Sequence, residues 1–296
     1  MTTPVSSPIV LLGEAIAAAP FKIAPEKEAQ LRDDPMLVGF GLAISDDDGF
    51  SIRVNIDTKE ATLPVFSLEY LWCFSLMILM LVEEYQAAQR GQKSTFDFKE
   101  SQCVSQAVDL LNWAHGRMLR GDRSPWPEDA PRPEQSPAND SVELMVSEVF
   151  LCAIAWIIHH EIAHIRLRHG IETVYSTQEE IDADAAATDW IFSGEQNSDM
   201  RFKRQLGMAV ALLSMQFLEE PQGKDSKVKS HPPSLERLDR CFEQAQVARD
   251  GFIRALTTVA LQFQLANQNL QSVLDGNSWD EIMGDAMVAF VTAGRD

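Results

Sequence analysis

What this chain has least of is clustered positive charge. Its 25 Lys and Arg stand against 44 Asp and Glu, a formal charge of −19, and nowhere do the cations gather into the patch that phosphate contacts require. That excludes a nucleic-acid surface. Cysteine is also scarce: Cys73, Cys103, Cys152 and Cys241 lie far apart, form no CxxC pair, and read as free thiols, two of them in strongly apolar runs. A membrane-length hydrophobic run is missing too. The most apolar segment, "LWCFSLMILMLV" at 71–82, has 12 residues between Glu69 and the Glu83/Glu84 pair, short of the roughly 20 that span a bilayer. It reads as a core helix, and no membrane contact is expected. No Lys or Arg precedes the mildly apolar "PIVLLGEAIAAAP", which Glu14 interrupts, so neither a signal peptide nor an export route is expected and the location reads as cytoplasmic.

What is present is ample core material, 45 % hydrophobic over 296 residues. Residues 38–56, "VGFGLAISDDDGFSIRVNI", carry two short apolar runs around "SDDDG" and predict a β-hairpin. Asp46, Asp47 and Asp48 lack the spacing and the distant Glu of a calcium loop. From residue 66 onward apolar positions recur at helical spacing over 66–90 and 101–119. Residues 121–140 contain five prolines and form a long loop, a lid or substrate arm on one reading and a surface excursion on the other. Helical stretches follow at about 141–170, 177–194, 200–219, 233–250, 251–272 and 279–292. The first of these opens on Ser141 as N-cap and stops at Gly170. The whole reads as a predominantly helical α+β fold, a zincin-like HExxH helix bundle with a small N-terminal β-hairpin or sheet. A single domain over 1–296 is expected: an N-terminal region (1–60), helices (61–120), the Pro-rich loop (121–140), a core that holds the histidine-rich run (141–240) and C-terminal helices (241–296).

The chemistry concentrates in "IIHHEIAHIRLRHG", 157–170, where four of six histidines crowd an otherwise apolar helix. Buried polar groups need partners or a metal. His160-Glu161-Ile162-Ala163-His164 is an HExxH sequence. On a helix His160 and His164 share a face and can reach one zinc ion, while Glu161, rotated by about 100°, sits beside the open coordination position as general base. A metzincin third ligand would need Gly at 167 and His at 170, where this chain has Leu167 and Gly170. The next helix, "STQEEIDADAAATDW", supplies Glu180 as third ligand, with Glu179 and Asp182 as runners-up, and Asp184 one turn on to hold a ligand imidazole by its other N–H. In "HPPSLERLDR", His231 or Arg237 could stabilise an oxyanion, and Tyr175 is a weaker candidate for that job. His159 and His169 read as structural. A closed four-ligand zinc site using His159, His169 or Asp182 would instead make a non-catalytic sensor or binding protein.

The segments "PFKIAPEKE", "GFSIRV", "SLEYLWCFS", "SEVFLCAIAWIIHHEIAH", "STQEEIDADAAATDWI" and "HPPSLERL", spread from about residue 20 to 240, resemble the Lit family of phage-exclusion peptidases. The resemblance implies a bacterial zinc endopeptidase that stays latent until phage infection and then cleaves elongation factor Tu, stopping translation. It also implies that a short peptide from a phage head protein acts as activator. His160, Glu161 and His164 match the family motif outright, and Glu180 is carried over beside them.

Overall fold

The HExxH helix is the axis of the computed structural model, which describes residues 7–47, 49–92, 98–169, 176–194, 197–219, 232–270 and 276–293. Two short helices, α1 (Gly13–Lys22) and α2 (Glu28–Arg32), come first. Strands β1 (Gly41–Ser45), β2 (Arg53–Asn55) and β3 (Glu60–Pro64) follow, then α3 (Val65–Arg90), α4 (Gln102–Arg120) and α5 (Val142–Leu167). The chain closes with α6 (Thr177–Phe192), α7 (Ser198–Leu218), α8 (Ser234–Gln244), α9 (Phe252–Asn267) and α10 (Trp279–Ala293). Helix α5 starts where Ser141 Oγ accepts the Leu144 N–H. It is apolar on nearly every side because α1, α3, α6 and α7 all pack on it.

Strands β1 and β2 lie within the expected 38–56 stretch, but the expected hairpin between them does not form, and β3 was not expected. The sheet order is β1-β3-β2: β1 pairs with β3 in parallel and β2 pairs with β3 antiparallel. The hairpin joins β2 to β3 instead. Its turn is set by Asn55, whose Oδ1 accepts from the amides of Asp57 and Thr58, and by Lys59 at φ 55°. An Asx turn closed by a left-handed residue is a stronger turn device than an Asp run. Asp48, inside that run, lies outside the described residues. β2 is left at the sheet edge, beside α5.

The apolar run at 71–82 is embedded in a helix twice its length. Its flanking Glu69 is not a solvated end: Arg117 of α4 donates Nε to Glu69 Oε2 at 2.9 Å and Nη2 to Oε1 at 3.3 Å, deep in the core. Burial pushes the Glu69 carboxyl above its usual range, against the pull of Ser7 and Arg117. By length and composition α3 and α5 could each cross a membrane. In this fold 83 % and 61 % of their apolar windows are buried inside the protein.

The Pro-rich loop is pinned by Trp126. Trp126 is buried edge-on against Trp72 and Trp113, at 5.8 and 5.0 Å, and donates its indole N–H to Pro131 O. No residue of 121–140 lines the cleft described below, as the surface-excursion reading expects.

Gly207 decides how closely α7 approaches α5. A Cβ there would stand 2.4 Å from Cys152 Cβ and 2.7 Å from its backbone carbon, and backbone cannot yield cheaply. Gly207→Ala is therefore expected to destabilise the protein by about 1–3 kcal/mol, read as a lower midpoint in denaturant at unchanged slope. A wild-type midpoint would mean that the two helices slide apart freely.

Candidate metal centre

Helix α5 places His160, Glu161 and His164 at its buried C-terminal end, and α6 is aimed at them by a full capping box between Ser176 and Glu179. The two helices pack together, which brings Glu180 and Asp184 onto the imidazoles. His160 Nε2 and His164 Nε2 are 3.1 Å apart; Glu180 Oε2 lies 3.3 Å from the first and Oε1 3.6 Å from the second. Four-coordinate zinc with bonds of about 2.0–2.1 Å has ligand-to-ligand edges of about 3.3–3.4 Å. The three side chains already span such a triangle, and they are a buried group that could hold a metal ion. The donor set, two imidazoles and one carboxylate, suits zinc.

Behind this triangle stands a charged relay. Asp184 Oδ1 is 2.8 Å from His160 Nδ1, and Arg237 of α8 grips the same carboxylate with Nε to Oδ2 and Nη2 to Oδ1, both at 2.7 Å. All three groups are buried. Burial would raise the Asp184 carboxyl, but the Arg237 guanidinium outweighs it and holds the group below its usual range. His160 is raised to about 9: burial opposes its charge, and its hydrogen bonds to the Asp184 and Glu180 carboxylates win. His164 is lowered to about 3, by burial and then by the neighbouring His160. Two imidazoles this close cannot both be charged.

Glu161 points the other way, toward the sheet. Its Oε2 accepts the Val54 N–H of edge strand β2 at 2.9 Å. The carboxylate thus sits between the strand edge and the metal-ligand triangle, in a cleft of about 440 Å³ whose walls include Phe50, Ile52, Met215 and Leu218. A cleft that is mostly apolar with a few convergent polar groups is the common form of a substrate site.

The remaining sequence candidates separate cleanly. Arg237 lines the cleft: its Nε and Nη2 hold Asp184, while Nη1, 3.5 Å from Met215 Sδ, keeps N–H donors beyond that pair. Tyr175 and His231 lie outside the described residues. Glu179 is used in the capping box, and Asp182, exposed, bonds Gln178. His159 faces away: its Nε2 meets Pro20 O at 2.9 Å, its ring stacks on Trp190, and burial lowers it to about 3. His169 stands behind His164, not in the triangle. None of the three side chains considered for a closed fourth position points into it.

Two features escaped the sequence. The Val54 amide on Glu161 is a contact across 107 positions of chain with no motif of its own. The end of α5 is the second: the helix stops at Leu167, before Gly170, with Arg168 at φ 57° taking the left-handed position that Gly usually fills.

The sequence profile of the peptidase U49 family matches residues 62–257. The "Cell death peptidase" of Escherichia coli (strain K12) is 37 % identical over 290 residues, covering 95 % of this chain and 96 % of that protein. No solved structure matches the chain significantly.

Proposed function

The chain belongs to the peptidase U49 family, and on that premise we propose that it is a zinc-dependent endopeptidase of anti-phage defence that cleaves host elongation factor Tu in the cytoplasm. The observation that carries the metal part of this reading is the triangle of His160, His164 and Glu180, with edges of 3.1, 3.3 and 3.6 Å, beside the Glu161 carboxylate in an open cleft.

In this reading His160, His164 and Glu180 hold the ion. Zinc bound there supplies Lewis acidity, lowering the pKa of a water and polarising the scissile carbonyl. Glu161 takes the proton of the attacking water and delivers it to the leaving amine as the C–N bond breaks, so that water adds across the peptide bond. Asp184 accepts His160 Nδ1–H, which turns Nε2 toward the ion, and Arg237 keeps Asp184 ionised and in place. Oxyanion stabilisation falls to His231, Arg237 or Tyr175.

Elongation factor Tu and activation by a phage peptide rest on the likeness to the Lit family alone; the name of the Escherichia coli relative supports a peptidase role in cell death, and net charge adds nothing, because two acidic proteins gain no steering. The test is to incubate the purified protein, with its zinc quantified, with purified elongation factor Tu, with and without extract of phage-infected cells. Cleavage only with infected extract is the expected result. One bound zinc and no cleavage would detach the substrate from the enzyme and leave another host or regulatory protein as the target; absence of zinc would remove the metallopeptidase mechanism.

A further inference from the structure

His164 has a partner behind it that the mechanism above does not use. The last turn of α5 ends in a Schellman-type reversal. Arg168, left-handed at φ 57°, donates its N–H to Ile165 O, and the His169 N–H reaches back five residues to His164 O at 3.0 Å. That reversal lays the His169 ring edge-on against His164, 5.0 Å between centroids, and brings the two Nδ1 atoms to 2.9 Å. His169 is 7 % exposed. A contact of that length between two ring nitrogens requires one proton between them.

We propose that His169 is a positioning residue for His164, accepting the Nδ1 proton that His164 must carry when its Nε2 lone pair faces His160 and Glu180. The proposal rests on the zinc reading above. His164 Nε2 is 3.1 Å from His160 Nε2, and His160 keeps its own proton on Nδ1, toward Asp184. With the His164 Nε2 lone pair turned toward His160 and Glu180, its remaining proton is on Nδ1, where the His169 Nδ1 lone pair accepts it. The His169 ring thereby fixes the orientation of the His164 ring, as the Asp184 carboxylate does for His160. Arg168 accepts a backbone conformation unusual for a side chain with a Cβ to make this possible.

Zinc affinity, measured by competition with a chelator, tests this separately from activity. His169→Phe preserves a ring but has no acceptor, and should weaken zinc binding by about 10–100-fold. His169→Leu, also without an acceptor, is measured beside it so that a packing failure of either leaves the comparison intact. His169→Asn places Oδ1 on the atom that Nδ1 occupies and should restore most of the loss, while melting of the metal-free proteins stays alike. Wild-type affinity in the Phe or Leu variant, or an equal loss in Asn and Phe, overturns the role of His169 and leaves the zinc reading standing. A wild-type protein that binds no zinc overturns both.

Discussion

Glu161→Gln should keep the fold and one zinc per chain and lose peptide cleavage by about 10²–10⁴-fold or more. The substitution is close to a single-atom test. Glu161 Oε2 accepts the Val54 N–H, and the Gln carbonyl oxygen can accept the same bond, so the link between α5 and the edge of the sheet survives. Glu161 is not one of the three groups in the metal-ligand triangle, so metal content should not change. What disappears is the ability to take a proton from water. Zinc counted by elemental analysis, the melting curve and the cleavage rate separate these effects. Cleavage at the wild-type rate would remove Glu161 from the chemistry and with it the reading of HExxH as a peptidase motif.

Asp184→Ala should be the most damaging change for stability. It strips the buried Arg237 guanidinium of both its carboxylate bonds and His160 of its Nδ1 acceptor. Leaving one partner of a buried pair uncompensated costs about 3–5 kcal/mol, and loss of the carboxylate behind a ligand His costs about 10–100-fold in metal affinity. Asp184→Asn keeps an oxygen for His160 but no charge for Arg237, so it should retain more zinc than Ala while losing part of the stability. The pH dependence has a definite sign. The folded-state pKa of Asp184 is depressed, so its stabilisation is complete above the unfolded value of about 3.9 and is lost as pH falls through the lower folded value. Urea unfolding of wild type and Asp184→Ala between neutral pH and the acid limit should therefore converge on acidification. Parallel curves, or a wild-type midpoint for Asp184→Ala at neutral pH, would show that the carboxylate is not the keystone of this cluster.

Much of the site was readable because helices convert sequence spacing into space. His160 and His164 had to share a face, as did Glu180 and Asp184, and the apolar surroundings of the histidines meant that their helix would be buried. Helix boundaries were readable to within a few residues where caps marked them, as at Ser141 and Ser176, and less well where tertiary packing ended the helix. Helix α8 stops at Gln244, where periodicity alone runs to 250, and Gln246 then turns left-handed at φ 53°. Helices α1 and α2 carry little periodicity, and α1 ends in a run containing Pro20, so they left no clear pattern.

By itself the sequence determined the predominantly helical α+β class and the buried HExxH helix, since these follow from short-range periodicity, capping and the motif, and its segments carried the resemblance to the family. Tertiary structure alone decided which strand sits between its neighbours, that the Glu161 carboxylate meets the Val54 amide, that Arg237 serves Asp184, and that His169 turns back onto His164. Each of those depends on which surfaces meet after folding, or on a single residue taking a left-handed backbone conformation, and neither is written in the spacing of side chains along the chain.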